Sequence, residues 1–251
     1  IGNDHHGQML MRLSCDAGID MQYVHETASA PTSTYVSVLD DTGDMQVAIA
    51  DMSIIDQLSA ERLQPLQAML GQATLIIVDA NLPDDALAWI TGTFTDIPIF
   101  ADTVSTAKAT RLKPYLSSLH TLKTSTIEVE ALTGMQARTQ AELLENAARL
   151  HNEGIKRIYI TRGDEGVFYS TGNAQGVAKQ KYTTRGVHNA GGAGDAFLAG
   201  LTYAWLESWP MDRTLQFALA AADVTLSHRA ACSPALSLAA IEQAIENQRA
   251  G

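Results

Sequence analysis

Short apolar runs alternate along the chain with stretches whose apolar residues recur at helical spacing. Runs typical of buried strands lie at 74–78, 98–101, 119–122 and 157–160. Stretches with helical spacing lie between them, at 84–91, 126–133 and 139–152. This alternation predicts a mostly parallel sheet that is covered by helices on both faces.

The N-terminal part of the chain has a different pattern. Residues 7–17 predict a helix that ends at Gly18, and residues 19–24 predict a short strand. Residues 33–50 contain two β-rich runs around the sequence DTGD at 41–44, whose turn chemistry predicts a hairpin.

The C-terminal third predicts strands first and helices afterwards. Antiparallel strands are expected at 167–170 and 177–183. Long helices are expected at 193–206, 211–227 and 236–248. The complete pattern is that of an α/β fold with a small β appendage near the start.

Composition and charge restrict the possible partners. The 251 residues are 46% hydrophobic, which is enough for a sizeable core, and the net charge of −11 argues against a nucleic-acid partner. The sequence contains neither a membrane-length apolar run nor a secretory signal pattern. Cys15 and Cys232 lie far apart in sequence and match no metal-ligand or CxxC spacing. We therefore expect a soluble, cytoplasmic protein with a small-molecule ligand, no nucleic acid and no membrane.

A glycine-rich segment at 191–194 leads directly into the apolar helix predicted at 193–206. Glycines allow close backbone approach, and the free N–H groups of a helix N-terminus favour a phosphate. Asp195 then falls in the first helical turn, where a carboxylate can accept the proton of a hydroxyl that attacks the phosphate. The alternative is a structural turn in which Asp195 complements the helix dipole. The segment has neither the Walker A nor the GxGxxG pattern.

The same segment resembles the second signature of the pfkB carbohydrate kinase family, D-T-x-G-A-G-D-x-F. Its matching residues are Gly192, Ala193, Gly194, Asp195 and Phe197. The resemblance implies a ribokinase-like fold, a mostly parallel central sheet with helices on both faces and a small β lid. It also implies that the amides of the three matching small residues form an anion hole and that Asp195 is the catalytic base.

Two upstream segments resemble further motifs of the family. Thr161, Gly163 and Gly166 match a T-x-G-x-x-G turn that holds the phosphates and ribose of the nucleotide. The segment KTSTIE at 123–128 resembles the family motif K-P-N-x-x-E. In the family, the Asn and Glu of this motif organise Mg²⁺ and phosphate through water. The resemblance therefore implies ATP and Mg²⁺ as cofactors. Lys123 and Ser125 are implied on the nucleotide side and Glu128 on the metal side.

The chain departs from the family pattern at three positions. Thr124 and Ser125 stand where the family has Pro and Asn, and Gly191 is unusual in the signature. Ser can coordinate through a water but reaches less far than Asn. These departures leave open a catalytically weak or inactive relative that binds a nucleoside or nucleotide.

Within the family, the likeness is strongest to pseudouridine kinases and spans nearly the whole chain. It implies phosphorylation of pseudouridine to pseudouridine 5′-phosphate, with a ribokinase-type or adenosine-type acceptor as the alternative. In this family, lid strands cover the sugar and commonly form homodimers. The resemblance implies that Ser33, Thr34 and Asp51 face the substrate. Asp102, at the end of a predicted strand, is a further candidate pocket residue.

The family's first strand and its early glycine-rich signature are expected upstream of Ile1. We therefore predict that residues 1–251 form one ribokinase-like kinase domain that lacks its N-terminal strand or strands. Within this domain, the β lid is predicted at about 19–52.

Overall fold

A computed structural model of the chain describes residues 1–39, 45–179, 191–228 and 230–250. The predicted hairpin turn at 41–44 and residues 180–183 of the last predicted strand lie outside these ranges. The strands are β1 Thr34–Leu39, β2 Met45–Asp51, β3 Ile76–Asp79, β4 Ile99–Asp102, β5 Thr121–Ser125, β6 Arg157–Thr161, β7 Val167–Ser170 and β8 Gln175–Ala178.

The helices follow the predicted order, with additional short segments. The α-helices are α1 His5–Asp16, α2 Ala60–Leu63, α3 Gln67–Leu70, α4 Asp84–Thr93, α5 Thr106–Ala109, α6 Thr126–Thr133, α7 Gln140–Asn152, α8 Ala193–Leu206, α9 Met211–Leu226 and α10 Leu238–Ala250. Helices of the 3-10 type cover Ser53–Gln57, Gln64–Leu66, Thr110–Ser118 and Gly163–Glu165.

Six of the strands form one sheet in the order β3-β4-β5-β6-β7-β8. The first four are parallel, and β7 and β8 are antiparallel. Helices cross between consecutive parallel strands, as connections of that kind require. The α/β fold with a mostly parallel sheet is confirmed. The last strand begins at Gln175, two residues earlier than predicted.

Local sequence explains where the helices that border the site begin. Ser125 and Glu128 form a capping box at the start of α6. Thr139 and Glu142 form another at the start of α7. In each box, side chains satisfy backbone N–H groups that the first helical turn leaves free. The capping boxes therefore determine the residues at which α6 and α7 begin.

The sheet separates two apolar layers. One face packs against α4, α6 and α7, with Leu87, Leu132 and Leu143 among its fully buried residues. The other face packs against α8, whose Phe197 contacts Tyr159 of β6. Burial of large apolar side chains on both faces is the main source of stability in such a fold.

In the described part of the chain, no helix is long and apolar enough to cross a membrane.

Strands β1 and β2 form a separate two-stranded antiparallel sheet. The strand predicted at 19–24 is wrong. Asp20 accepts a hydrogen bond from the Gln22 backbone N–H, which bends the chain into a turn, and Ile19 is exposed. Among the described residues outside the named strands, Thr27 forms a bridge with Gly2. Within the described residues, the small sheet therefore consists of Thr34–Leu39 and Met45–Asp51.

Candidate active site

A row of charged side chains lies where neighbouring parallel strands end. Asp79 of β3 pairs with Asp102 of β4, and Asp102 pairs with Lys123 of β5. Residues that are paired across a sheet project from the same face. The next residue of the row is Tyr159, which contacts Phe197 of α8. The charged row therefore lies on the side of the sheet that α8 covers.

The glycine-rich segment forms the N-terminus of α8. Gly192 is its N-cap in the left-handed region, with φ 79° and ψ −10°. A β-carbon on Gly192 would overlap the carbonyl oxygen of Ala231, so only glycine fits here. Ala193, Gly194 and Asp195 are the first three helical residues, and their N–H groups have no partner within the helix. The start of α8 therefore presents three backbone N–H groups that the helix itself does not pair.

Lys123 lies directly against this helix start. A β-carbon placed on Gly194 would come within 2.6 Å of Lys123 Nζ. The same Nζ is 2.9 Å from Asp102 Oδ2, and both side chains are about nine-tenths buried. Lys123, predicted on the nucleotide side, is thus ion-paired beneath the glycine-rich segment.

Asp195 combines exposure with a shifted proton affinity. Its side chain is open to solvent at the start of α8. Nevertheless, partial desolvation raises its pKa, and the charges of Asp102 and Asp79 raise it further. The ammonium of Lys123 opposes these effects and lowers the pKa. A carboxylate with a raised pKa is a stronger base, which suits the role predicted for Asp195.

Glu128 is held by a buried network on the opposite side of β5. Its Oε2 accepts hydrogen bonds from Ser125 N, at 2.8 Å, and from Thr103 Oγ1, at 2.7 Å. The hydroxyl of Thr124 lies 3.0 Å from that of Thr103. Thr124, which replaces the usual proline, therefore joins the network. Sequence reasoning missed Thr103, although its position directly after Asp102 at a strand end was an available signal.

Ser125 serves first as a helix cap. Its Oγ accepts the Glu128 N–H, at 3.4 Å, in the capping box of α6. This cap fixes the hydroxyl at the carboxyl end of β5, beside Thr161 of β6 in the register of the sheet.

The predicted T-x-G-x-x-G segment forms a tight turn after β6. Thr161 Oγ1 donates to the Thr124 carbonyl at 3.3 Å. Gly163 and Gly166 both have positive φ, 58° and 88°. A β-carbon on Gly166 would overlap the carbonyl oxygen of Ala178, so the turn packs closely on β8. The segment that was predicted to hold the nucleotide is thus a compact backbone turn.

The three predicted substrate residues lie together in and beside the small sheet. Thr34 pairs with Asp51 in the register of β1 and β2. Asp51 accepts hydrogen bonds from the backbone and hydroxyl of Ser53, which lower its pKa. Ser33 Oγ is buried and has no hydrogen-bond partner within the described ranges. No hydrogen bond among the described residues links these three side chains to Asp195.

A magnesium ion fits only if phosphate and water supply most of its ligands. Within residues 1–39, 45–179, 191–228 and 230–250, no three His, Cys, Asp or Glu side chains are grouped to hold a metal. Mg²⁺ commonly keeps several waters and binds through one or two carboxylates plus substrate phosphates. In the segment at 123–128, the carboxylate available for the ion is that of Glu128. Hydrogen bonds from Thr103 and Ser125 fix its position.

Known proteins are similar to this chain over nearly its whole length. The profile described as pfkB family carbohydrate kinase matches residues 1–238. Escherichia coli pseudouridine kinase is 34% identical over 98% of this chain and 79% of its own. Among solved structures, a carbohydrate kinase from Agrobacterium tumefaciens aligns with a TM-score of 0.78 and 26% identity, over 98% of this chain and 78% of its own. Arabidopsis thaliana ribokinase, solved with ribose and ATP, has a TM-score of 0.85 and 21% identity, over 98% and 80%.

Proposed function

Because the chain belongs to the pfkB family of carbohydrate kinases, and is thus an ATP-dependent kinase of sugars or nucleosides, we propose that its acceptor is pseudouridine. The product would be pseudouridine 5′-phosphate. The identity of 34% to a pseudouridine kinase, over nearly the whole chain, supports this acceptor.

The observation that carries the proposed phosphoryl transfer is the position of Asp195 in the first turn of α8, directly after Gly192, where the N–H groups of Ala193, Gly194 and Asp195 have no partner within the helix. In the proposed reaction, the acceptor hydroxyl loses its proton to the Asp195 carboxylate. Its oxygen then forms a bond to the γ-phosphorus of ATP, and the bond from that phosphorus to the leaving oxygen of ADP breaks. The amides of Gly192, Ala193 and Gly194 stabilise the charge on the transferred group.

The nucleotide is proposed to lie along the carboxyl ends of β5 and β6. Thr161, Gly163 and Gly166 would contact its phosphates and ribose, because the glycine backbone permits close approach. Lys123 and Ser125 would face the phosphates. Glu128 would hold a water shell around Mg²⁺, and the bound ion would neutralise phosphate charge during transfer.

The small sheet is proposed as the lid over the acceptor. Ser33, Thr34 and Asp51 would contact sugar or base hydroxyl and amide groups. The buried, unpartnered hydroxyl of Ser33 supports this role, because buried polar groups without a partner are costly unless a ligand completes them.

A homodimer is proposed through the same sheet. One of its faces carries four apolar side chains that are more than half exposed, which is an unusual arrangement for a two-stranded sheet in water. These are Val36, Val38, Val47 and Ile49. A second copy of the chain that places its own small sheet on this face would remove the four side chains from water.

The acceptor is tested by measuring ADP release from ATP and Mg²⁺ with pseudouridine, uridine, adenosine and ribose in parallel. The proposal expects the highest kcat/KM with pseudouridine. Preference for ribose or adenosine would assign a different acceptor to the same kinase. Binding of nucleotide without turnover of any acceptor would favour a regulatory binding protein, the alternative that the departures at Thr124 and Ser125 raise.

A further inference from the structure

Asp102 is a buried carboxylate that the proposed chemistry does not use. Only 6% of the residue is exposed, and each of its carboxylate oxygens has a specific donor. Oδ2 accepts from Lys123 Nζ at 2.9 Å, and Oδ1 accepts from the Val104 backbone N–H at 2.9 Å. Burying a charge is costly unless it is paired and hydrogen-bonded, and Asp102 has a contact of each kind.

The contact to Val104 fixes an unfavourable backbone conformation. Val104 has φ 63°, and a β-branched residue rarely adopts the left-handed region. Such conformations persist where surrounding contacts impose them, and they are frequent at functional sites. The hydrogen bond from Val104 N therefore fixes the chain just after β4, and with it the direction of the Asp102 side chain.

The contact to Lys123 extends this fixed point to the catalytic segment. Lys123 and Asp102 are paired on neighbouring strands, so the ion pair spans β4 and β5. The far end of Lys123 fills the space beside Gly194 that any side chain at position 194 would occupy. Asp102, Lys123 and Gly194 thus form a continuous line of contacts from the sheet to the start of α8.

The charges in this line act on Asp195. The described ionisable groups that influence the Asp195 carboxyl are Asp79 from β3, Asp102 from β4 and Lys123 from β5. The two carboxylates raise its pKa, and Lys123 lowers it. Removing Asp102 or Lys123 should therefore change the proton affinity of Asp195 in opposite directions.

We propose that Asp102 is a positioning residue for phosphoryl transfer: it fixes the Lys123 ammonium against Gly194 and thereby holds the anion-hole segment and Asp195 in place. The inference rests on the proposed kinase function of the same site. Asp102 acts through Lys123 and touches neither substrate nor nucleotide.

The test compares Asp102→Asn, Lys123→Met and Gly194→Ala with the unchanged chain. Each variant should lower kcat by about 10²-fold, because small displacements at a reacting centre have effects of this size. The affinity for ADP in Asp102→Asn should stay close to that of the unchanged chain. Lys123→Arg should recover part of the lost kcat, because it keeps the positive charge.

The pH profile separates positioning from a general loss of structure. In a plot of kcat/KM against pH, the acidic limb reports the proton affinity of the base. Asp102→Asn should move this limb to lower pH, and Lys123→Met should move it to higher pH. Loss of structure alone would move neither limb in a direction set by charge.

Two matched controls lie at the opposite, amino-terminal end of the sheet. Lys156→Met removes an exposed lysine just before β6, and Asp96→Asn removes an exposed aspartate just before β4. Both should leave kcat and the acidic limb unchanged. The double variant Asp102→Asn/Lys123→Met leaves no unpaired buried charge, so it should fold even if the single variants do not. Its kcat should still be low.

Wild-type kcat and an unmoved acidic limb in Asp102→Asn and Lys123→Met would overturn the inference while leaving the kinase function intact. If the unchanged chain phosphorylates no acceptor, the proposed function fails instead. The carboxyl NMR titration of Asp195, assigned with Asp195→Asn, then decides the inference without turnover. Opposite shifts in the two variants support it, and identical titrations overturn it.

Discussion

Thr103 Oγ1 lies 2.7 Å from Glu128 Oε2 inside the protein, and Thr103 itself is fully buried. Thr103 therefore determines where the carboxylate proposed for the magnesium site can lie. Thr103→Val keeps the shape and removes the donor. Because hydrogen bonds to charged groups are worth about 1.5–3 kcal/mol, the free energy of unfolding should fall by that amount.

The control for this prediction is Thr91→Val in α4. Thr91 is also buried, but its hydroxyl donates to the Leu87 backbone carbonyl within its own helix. Urea unfolding should show a smaller loss for Thr91→Val than for Thr103→Val. The Mg²⁺ concentration needed for half-maximal activity should rise only in Thr103→Val. Equal stability losses, or unchanged Mg²⁺ dependence, would contradict the account.

Ser125 offers a change that should improve the enzyme. Ser125→Asn restores the family residue, and Asn caps a helix as well as Ser does. We expect unchanged thermal stability and a lower KM for the ATP–Mg²⁺ complex. Ser125→Ala should lose about 1 kcal/mol of stability together with activity. Thr139→Ala removes the corresponding cap of α7 and should lose stability alone. A higher KM for the ATP–Mg²⁺ complex in Ser125→Asn would contradict the proposal that Ser125 lies at the nucleotide site.

The elements that the sequence predicted best have strong local signals. Helix α8 begins at Ala193 and ends at Leu206 as predicted, because a mostly apolar stretch follows directly after Gly192. Helix α6 also has its predicted bounds, which the Ser125 and Glu128 capping box explains. Strand 19–24 was wrong because its turn depends on the side chain of Asp20, which an apolar pattern does not reveal.

The predicted site residues divide in the same way. Asp195 and its glycines could be recognised because one continuous segment carries them. Asp102 and Lys123 lie on neighbouring strands and are 21 residues apart in sequence, so no local pattern shows their ion pair. The helical segments around Pro65 and Pro114 were also missed, since both are of the 3-10 type and do not follow the α-helical period. The roles of Ser33, Thr34 and Asp51 stay predictions.

The small sheet provides a test of the proposed dimer. Ile49 lies on the apolar face of this sheet and is 73% exposed. Ile49→Asp places a charge there, which cannot be buried without a partner. We expect light scattering to show a dimer for the unchanged chain and a monomer for Ile49→Asp. Leu206→Asp, at an exposed position at the end of α8, should stay dimeric. A monomeric unchanged chain would contradict the proposal.

The hydrogen bonds of Asp4 predict that the fold loses stability in acid. It accepts hydrogen bonds from Gly7 N and from the backbone and hydroxyl of Thr32, which lower its pKa from 3.8 to about 2. A carboxyl with a lowered pKa in the folded state stabilises the fold above its unfolded pKa. This contribution is lost as pH falls from about 4 towards 2.

Thermal unfolding between pH 7 and pH 2 tests this assignment. Asp4→Asn should lower Tm at neutral pH and reduce the decline of Tm below about pH 4. Asp16→Asn changes an exposed carboxylate at the other end of α1 and should leave the decline unchanged. Parallel Tm curves for the unchanged chain and Asp4→Asn would show that Asp4 does not set the acid response.

The central claim is that Asp195 removes the proton from the acceptor hydroxyl. Its most direct test is the single-turnover rate of pseudouridine phosphorylation by the unchanged chain and by Asp195→Asn, with ADP affinity measured in parallel. Asp212→Asn, an exposed first-turn aspartate of α9, is the control. The account predicts a rate about 10²-fold lower or more in Asp195→Asn, with ADP affinity retained and Asp212→Asn unchanged. Phosphorylation by Asp195→Asn at the unchanged rate would contradict it.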